Sequence, residues 1–194
     1  MSRILYWPGM GQDLKILENF RKQLRQLGNI VDVIDFDYDD NNKLNPNEWK
    51  IINNKYDWWI GLSLGASLVY YSYEYVEDKN KPERITIINP FSSRKKLSIE
   101  KQFDLKNQWD FSPICSNVDI EKIDLVRSIY DDKIPSYHGF ELLNNSISNN
   151  KNFILVKDKH TIDNIEAQKE LARLLIKEEN KNEPNYYCNI YKQK

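Results

Sequence analysis

The apolar positions of this chain fall into short continuous runs, separated by segments in which apolar residues recur every three or four positions. RILYWP, ended by Pro8 and Gly9, reads as a buried strand. Leu14, Leu17, Phe20, Leu24 and Leu27 then share one helical face, with Asp13 at the start of the helix and Gly28 at its end. NIVDVIDFDYDD reads as a second strand running into acidic residues, and Pro46 with Trp49 to Ile52 as a short helix. YDWWIGLS is a third strand, Ala66 to Glu77 a helix, RITIINP a fourth strand, IDLVRSIY a fifth and NFILVKD a sixth. PSYHGFELLNNSI reads as helical, and TIDNIEAQKELARLLIKEE as a strongly amphipathic helix. Continuous apolar strands alternating with helices predict an α/β fold, a mostly parallel sheet of about six strands with helices on both faces. One domain is expected over residues 1–194, with a polar tail from about residue 178 that is either packed by its tyrosines or mobile.

Composition narrows the function classes. The 194 residues are 40% hydrophobic and 29% charged, enough for a sizeable core and unlike a disordered chain. A net charge of -1 gives no reason to expect nucleic acid or an anionic membrane as partner. No window approaches the ~18 continuous apolar residues of a membrane span, and the apolar run of MSRILYWPGM is too short for a signal peptide. Cys115 and Cys188 lack the paired spacing of a zinc or redox site, so a cytoplasmic protein with reduced thiols is expected. The acidic run DFDYDD reads as a solvated loop, and neither a metal nor a cofactor is expected.

Candidate chemistry lies where ligands bind in such sheets, beyond the carboxyl ends of the strands. After the first strand comes the glycine loop PGMGQD, and after the third comes Ser63 within YDWWIGLSLGAS. Gly61 and Gly65 flank that serine in the G-x-S-x-G pattern, between a strand and a helix. Glycines relieve crowding in so tight a turn and leave the central hydroxyl pushed outward. The pattern by itself also fits an ordinary turn serine. After the fifth strand come Asp131 and Asp132, and after the sixth comes His160. Asp131 is expected to leave the sheet first, because the strand is read to end at Tyr130, with Asp132 as its rival. His138, followed by Gly139, reads as a solvated helix residue.

In element order over most of residues 3–177, in the Ser–Asp–His chain order and in the strand-end segment IYDDKIP, the chain resembles the α/β-hydrolases. Because the chain opens on the strand before the oxyanion loop, the resemblance implies that the family's first two strands are missing and that this is a small hydrolase with a six-stranded sheet. Residues 91–122 form a short insertion where the family carries its cap. The resemblance implies Ser63 as nucleophile, His160 as base and then acid, and Asp131 as the group that orients the imidazole. It assigns the oxyanion hole to the backbone amides of Met10 and Leu64, and Trp7 beside that loop is the aromatic expected to meet substrate. A carboxylic ester or thioester is the implied substrate. Arg94, Lys95 and Lys96 could receive an anionic partner such as an acyl carrier protein, although a charge run is usually a solvated face. Members that resemble this chain include pimeloyl-carrier-protein methyl ester esterases of biotin synthesis and small hydrolases of the retinoblastoma-binding-protein type. A non-catalytic interaction protein on the same scaffold is the alternative from another class.

Overall fold

The computed structural model describes residues 1–9, 15–34, 54–101, 118–179 and 186–188. Among them the chain forms β1 (Arg3–Trp7), α1 (Glu18–Gln26), β2 (Ile30–Val33), β3 (Trp58–Leu62), α2 (Leu64–Tyr75), β4 (Arg84–Ile88), α3 (Arg94–Lys101), β5 (Lys122–Ser128), α4 (Ser136–Asn145), β6 (Asn150–Val156), α5 (Ile165–Glu179) and β7 (Tyr186–Cys188). The strands make one sheet in the order β2-β1-β3-β4-β5-β6-β7, and every pairing is parallel.

Side-chain alternation divides the core between the two faces of this sheet. Leu5, Trp7, Trp59, Ile85, Ile87, Ile123 and Leu125 pack with Leu68, Val69 and Tyr73 of α2 and Leu142 of α4. Their neighbours in sequence, Ile4, Tyr6, Trp58, Ile60, Val126 and Ile154, pack on the opposite side with Phe20 and Leu24 of α1 and Leu171 and Leu175 of α5. Two-sided burial leaves every residue of β3, β4 and β5 buried, and it is why β3 reads as an unbroken apolar run. A buried polar network also crosses the α5 face. Asp124 accepts from Arg84 Nε at 2.7 Å, Thr86 Oγ1 at 2.7 Å and Asn152 Nδ2 at 2.8 Å. Burial pushes its carboxyl up, and Arg84 with these donors more than reverses that, holding it below the ordinary value.

Several expectations need correction. The expected parallel strands, about six, are present as β1 to β6, and a seventh comes from the expected tail, where Tyr186–Cys188 pairs with the edge of β6. Helix α1 starts at Glu18, after Leu17 in the left-handed region (φ 57), and Leu27 is 40% exposed rather than part of the buried face. Gly28 follows at φ 91, a conformation that stops the helix without a Cβ penalty. Strand β5 ends at Ser128, two residues early, with Ile129 and Tyr130 turned to solvent. The short helix read around Trp49, the acidic run DFDYDD and Cys115 lie outside the described residues, as does the insertion between residues 102 and 117. Among the described residues, no helix is long and apolar enough to cross a membrane.

Candidate active site

The site begins with the reversal of strand order. From β1 the chain crosses by α1 to β2 on one side, then returns to place β3 on the other side of β1. Helices α1 and α2 consequently cover opposite faces, which makes the carboxyl ends of β1 and β3 the switch point where ligands bind in such sheets. Ser63 stands there, between the last residue of β3 and the first of α2.

The local backbone explains the two flanking glycines. A Cβ on Gly65 would lie 2.2 Å from the Trp7 carbonyl oxygen and 2.4 Å from that of Pro8. One on Gly61 would lie 2.5 Å from Ala66 Cα. These are backbone atoms that no rotamer change can move. Gly65→Ala is therefore expected to cost ~3 kcal/mol or more by forcing the start of α2 away from β1. Urea unfolding measures it, and an unchanged midpoint would mean that the loop after β1 yields freely.

Ser63 itself adopts φ 54 and ψ -117. A non-glycine residue at such a φ stores ~1–3 kcal/mol of strain and persists only where its surroundings impose it. The imposing contacts are backbone ones: the Ser63 N–H donates to the Ile88 carbonyl at 2.8 Å, and its carbonyl accepts from Ser67 N at 3.2 Å. A serine preceding a helix ordinarily sits in the β region and caps it with its hydroxyl. Here the backbone is turned out of that region and no side-chain cap is made, so the half-buried Ser63 hydroxyl is not committed to its own helix. Leu64 opens α2, where an N–H has no intrahelical acceptor and the helix dipole is positive. Met10 lies outside the described residues.

Asp131 and His160, 29 residues apart in sequence, are brought together. His160 Nδ1 lies 3.0 Å from both Asp131 carboxylate oxygens, and the two side chains are 6% and 0% exposed. A carboxylate only accepts, so Nδ1 carries the proton and, in the neutral ring, Nε2 keeps its lone pair. Asp131 Oδ1 also accepts from the backbone N–H groups of Lys133 at 2.9 Å and Ile134 at 3.0 Å. Arg127 Nη1 lies 3.3 Å from Oδ2, and Arg127 Nη2 donates to the Ile134 carbonyl at 2.7 Å, closing the turn. Burial pushes the Asp131 carboxyl up; the His160 hydrogen bond and charge, the Ile134 amide and Arg127 together bring it below the ordinary carboxylate value. The stability that it contributes is thus fully present above an unfolded value near ~3.9 and is lost as pH falls through the lowered folded value. Asp132, by contrast, is exposed, and it is its carbonyl that Lys101 Nζ meets, at 2.7 Å.

Three other sequence expectations fall elsewhere. Trp7 is fully buried, its ring 5.5 Å from that of Trp59, because the alternation of β1 turns it into the core under α2. It does not reach the surface. His138 is also fully buried rather than solvated, since α4 turns His138, Gly139, Leu142 and Leu143 inward together. Its Nδ1 accepts from Ser92 N at 3.2 Å, and burial pushes the imidazole down, partly opposed by Glu100 and Glu141. Lys96 is paired with Glu141 at 2.7 Å, so part of the basic run is already neutralised.

The residues missed from sequence are Arg127, Ser128 and Asn89. Asn89 stands immediately after the fourth strand, on the same rim as the others, and a polar residue directly after RITII was the available signal.

No family model matches this chain, and no curated protein matches it. Solved structures do. An esterase domain from Rhodothermus marinus superposes with a TM-score of 0.69 at 14% identity, over 90% of this chain and 84% of its own. The mouse alpha/beta hydrolase domain-containing protein 10 gives 0.66 at 14%, over 90% and 88%. The RedJ thioesterase of the prodiginine pathway in Streptomyces coelicolor gives 0.62 at 11%, over 89% and 88%. At these identities the likeness is one of fold, and the chain has the α/β-hydrolase fold.

Proposed function

We propose that the protein is a serine hydrolase that cleaves a carboxylic ester or thioester through an acyl-enzyme. The observation that carries this reading is the buried Asp131–His160 pair, on the same sheet rim as a serine whose backbone is strained at φ 54. Carboxylate, imidazole and strained serine each serve a bland purpose alone. Together, at the carboxyl ends of three strands of one parallel sheet, they supply the residue types that acyl transfer demands.

In this reading Ser63 Oγ attacks the carbonyl carbon while His160 Nε2 takes its proton. Asp131 keeps Nδ1 protonated and stabilises the imidazolium without taking the proton. The carbonyl π electrons pass to oxygen, and the Leu64 amide, with Met10 as its expected partner, receives that oxyanion; one such donor is typically worth ~10²–10³ in rate. Collapse breaks the bond to the leaving alcohol or thiol, which takes the proton from Nε2. Water, deprotonated by His160, then attacks the acyl-enzyme, releasing the carboxylic acid and returning a proton to Ser63. Ester and thioester chemistry is also what the names of the esterase and thioesterase of like fold describe.

The test is reaction of the purified chain with a fluorophosphonate probe, followed by mass mapping. One adduct on the peptide bearing Ser63 is expected. A chain that stays unlabelled while folded would leave the scaffold without its nucleophile and favour a non-catalytic interaction protein. An adduct on another serine would move the site.

A further inference from the structure

The fourth strand is followed by a residue with no assigned role in the reaction above, yet its side chain makes three buried hydrogen bonds. Asn89 follows Ile88, adopts φ 47 and is 0% exposed. Asparagine tolerates the left-handed region better than most residues, but a buried carboxamide there is costly unless satisfied. Its Oδ1 accepts from Ser128 N–H at 2.8 Å. Its Nδ2 donates to Ser128 Oγ at 2.8 Å and to the His160 carbonyl at 2.6 Å. The orientation of the amide is unambiguous, because the Ser128 N–H can only donate and the His160 carbonyl can only accept.

Each partner leads to a different part of the site. Ser128 ends β5, and its carbonyl accepts from Asp131 N–H at 3.3 Å. His160 is the proposed base. The residue before Asn89, Ile88, supplies the carbonyl that holds the Ser63 N–H. The backbone N–H of Asn89 is itself fixed on Val126 at 2.9 Å. One residue therefore joins the end of β5 to the loop after β6, at the point where β4 holds the serine turn.

We infer that Asn89 is a positioning residue for the hydrolysis, setting the main chain of His160 so that its imidazole keeps its hold on Asp131 and stays available to the proposed nucleophile. This rests on the Ser63–Asp131–His160 reading. The side chain of Asn89 need not touch substrate, and its effect runs through His160. No other residue of this size has both groups needed: aspartate has no donor when ionised, and leucine has neither donor nor acceptor.

The decisive variants are Asn89→Asp and Asn89→Gly, assayed on one small activated ester beside the parent and Ser63→Ala. Aspartate keeps the shape and still accepts from the Ser128 N–H, but when ionised it points a carboxylate oxygen at the His160 carbonyl. Glycine removes the side chain and accepts φ 47 without strain. Both are expected to lower kcat by ~10²-fold, the cost of a base displaced by about 1 Å, with KM held within about threefold because substrate binding is untouched. In Asn89→Asp the deficit should deepen as pH rises and the introduced carboxyl ionises, because the protonated acid still donates to the His160 carbonyl. A merely structural role would give one deficit at every pH at which the chain is folded. If the aspartate variant does not fold, Asn89→Gly decides by its kcat and KM alone. The inference is overturned by parent-like kcat in the folded variants, by kcat and KM changing together, or by a deficit in Asn89→Asp that ignores pH. If Ser63→Ala turns over like the parent, it is the underlying reading that has failed, whatever the Asn89 variants do.

Discussion

Ser63→Ala is expected to lower ester hydrolysis by at least ~10⁴-fold and to abolish fluorophosphonate labelling while leaving the fold intact. The loss is large because the proposed chemistry runs through this one hydroxyl, on a backbone held at φ 54 and ψ -117. A factor of 10⁴ is ~5.5 kcal/mol of transition-state stabilisation, far more than a turn serine contributes to anything else. Stability should hardly change, because the serine makes no side-chain cap to α2, and alanine retains the Cβ that is already accommodated. The backbone bond to Ile88 is unaltered by the substitution. Thermal unfolding beside the rate assay separates the two effects. Turnover and labelling equal to the parent would remove Ser63 from the chemistry.

Asp131→Asn is expected to cost ~10⁴ in kcat at pH 7, the size seen when a triad aspartate becomes an amide in a serine protease. The geometry gives the reason. Two backbone donors, Lys133 N–H and Ile134 N–H, converge on Asp131 Oδ1, so in the variant the amide oxygen is drawn to that position. The amide nitrogen then faces His160 and donates to Nδ1, which drives the imidazole proton to Nε2 and leaves no lone pair for the Ser63 proton. The same nitrogen faces the Arg127 guanidinium, donor against donor, so some stability should be lost with the activity. Asp132→Asn should remain within about tenfold, since an exposed turn carboxylate contributes ~1 kcal/mol or less. The measurement is the ratio of the two kcat values on one ester. A ratio that reverses hands the role to Asp132, and two parent-like variants would clear the DDKIP turn of any role.

The two neighbouring acids separate what local pattern reads from what the fold adds; it is Asp131 whose carboxylate lies against His160. Their rank followed from position, as the first acid after a strand, although that strand ends at Ser128 rather than Tyr130. Ile129 and Tyr130 are apolar and extend the run, but the chain is already leaving the sheet: Tyr130 N–H is held by the Asp158 carbonyl at 3.0 Å. A hydrophobic run cannot report that exit, because it is made by a segment 28 positions away. The tail behaves likewise. Nothing local distinguishes Tyr186–Cys188 from a polar extension, and it becomes a strand only because β6 presents an open edge.

By itself the sequence determined the parallel sheet, through unbroken apolar strands between helical periods, and the serine turn, through two glycines at fixed spacing. These are legible because their causes lie within a few residues of one another: side-chain alternation, helical period and the space for a Cβ. Tertiary structure decided the rest. It buried His138, turned Trp7 inward, added β7 and made Asn89 the joint between two strand ends. It also set Arg127 against Asp131 within β5 and the turn after it. The Asn89–His160 bond spans 71 positions and the Asp131–His160 bond 29. Hydrogen-bond partners at such separations are chosen by strand order and register, and a one-dimensional pattern carries neither.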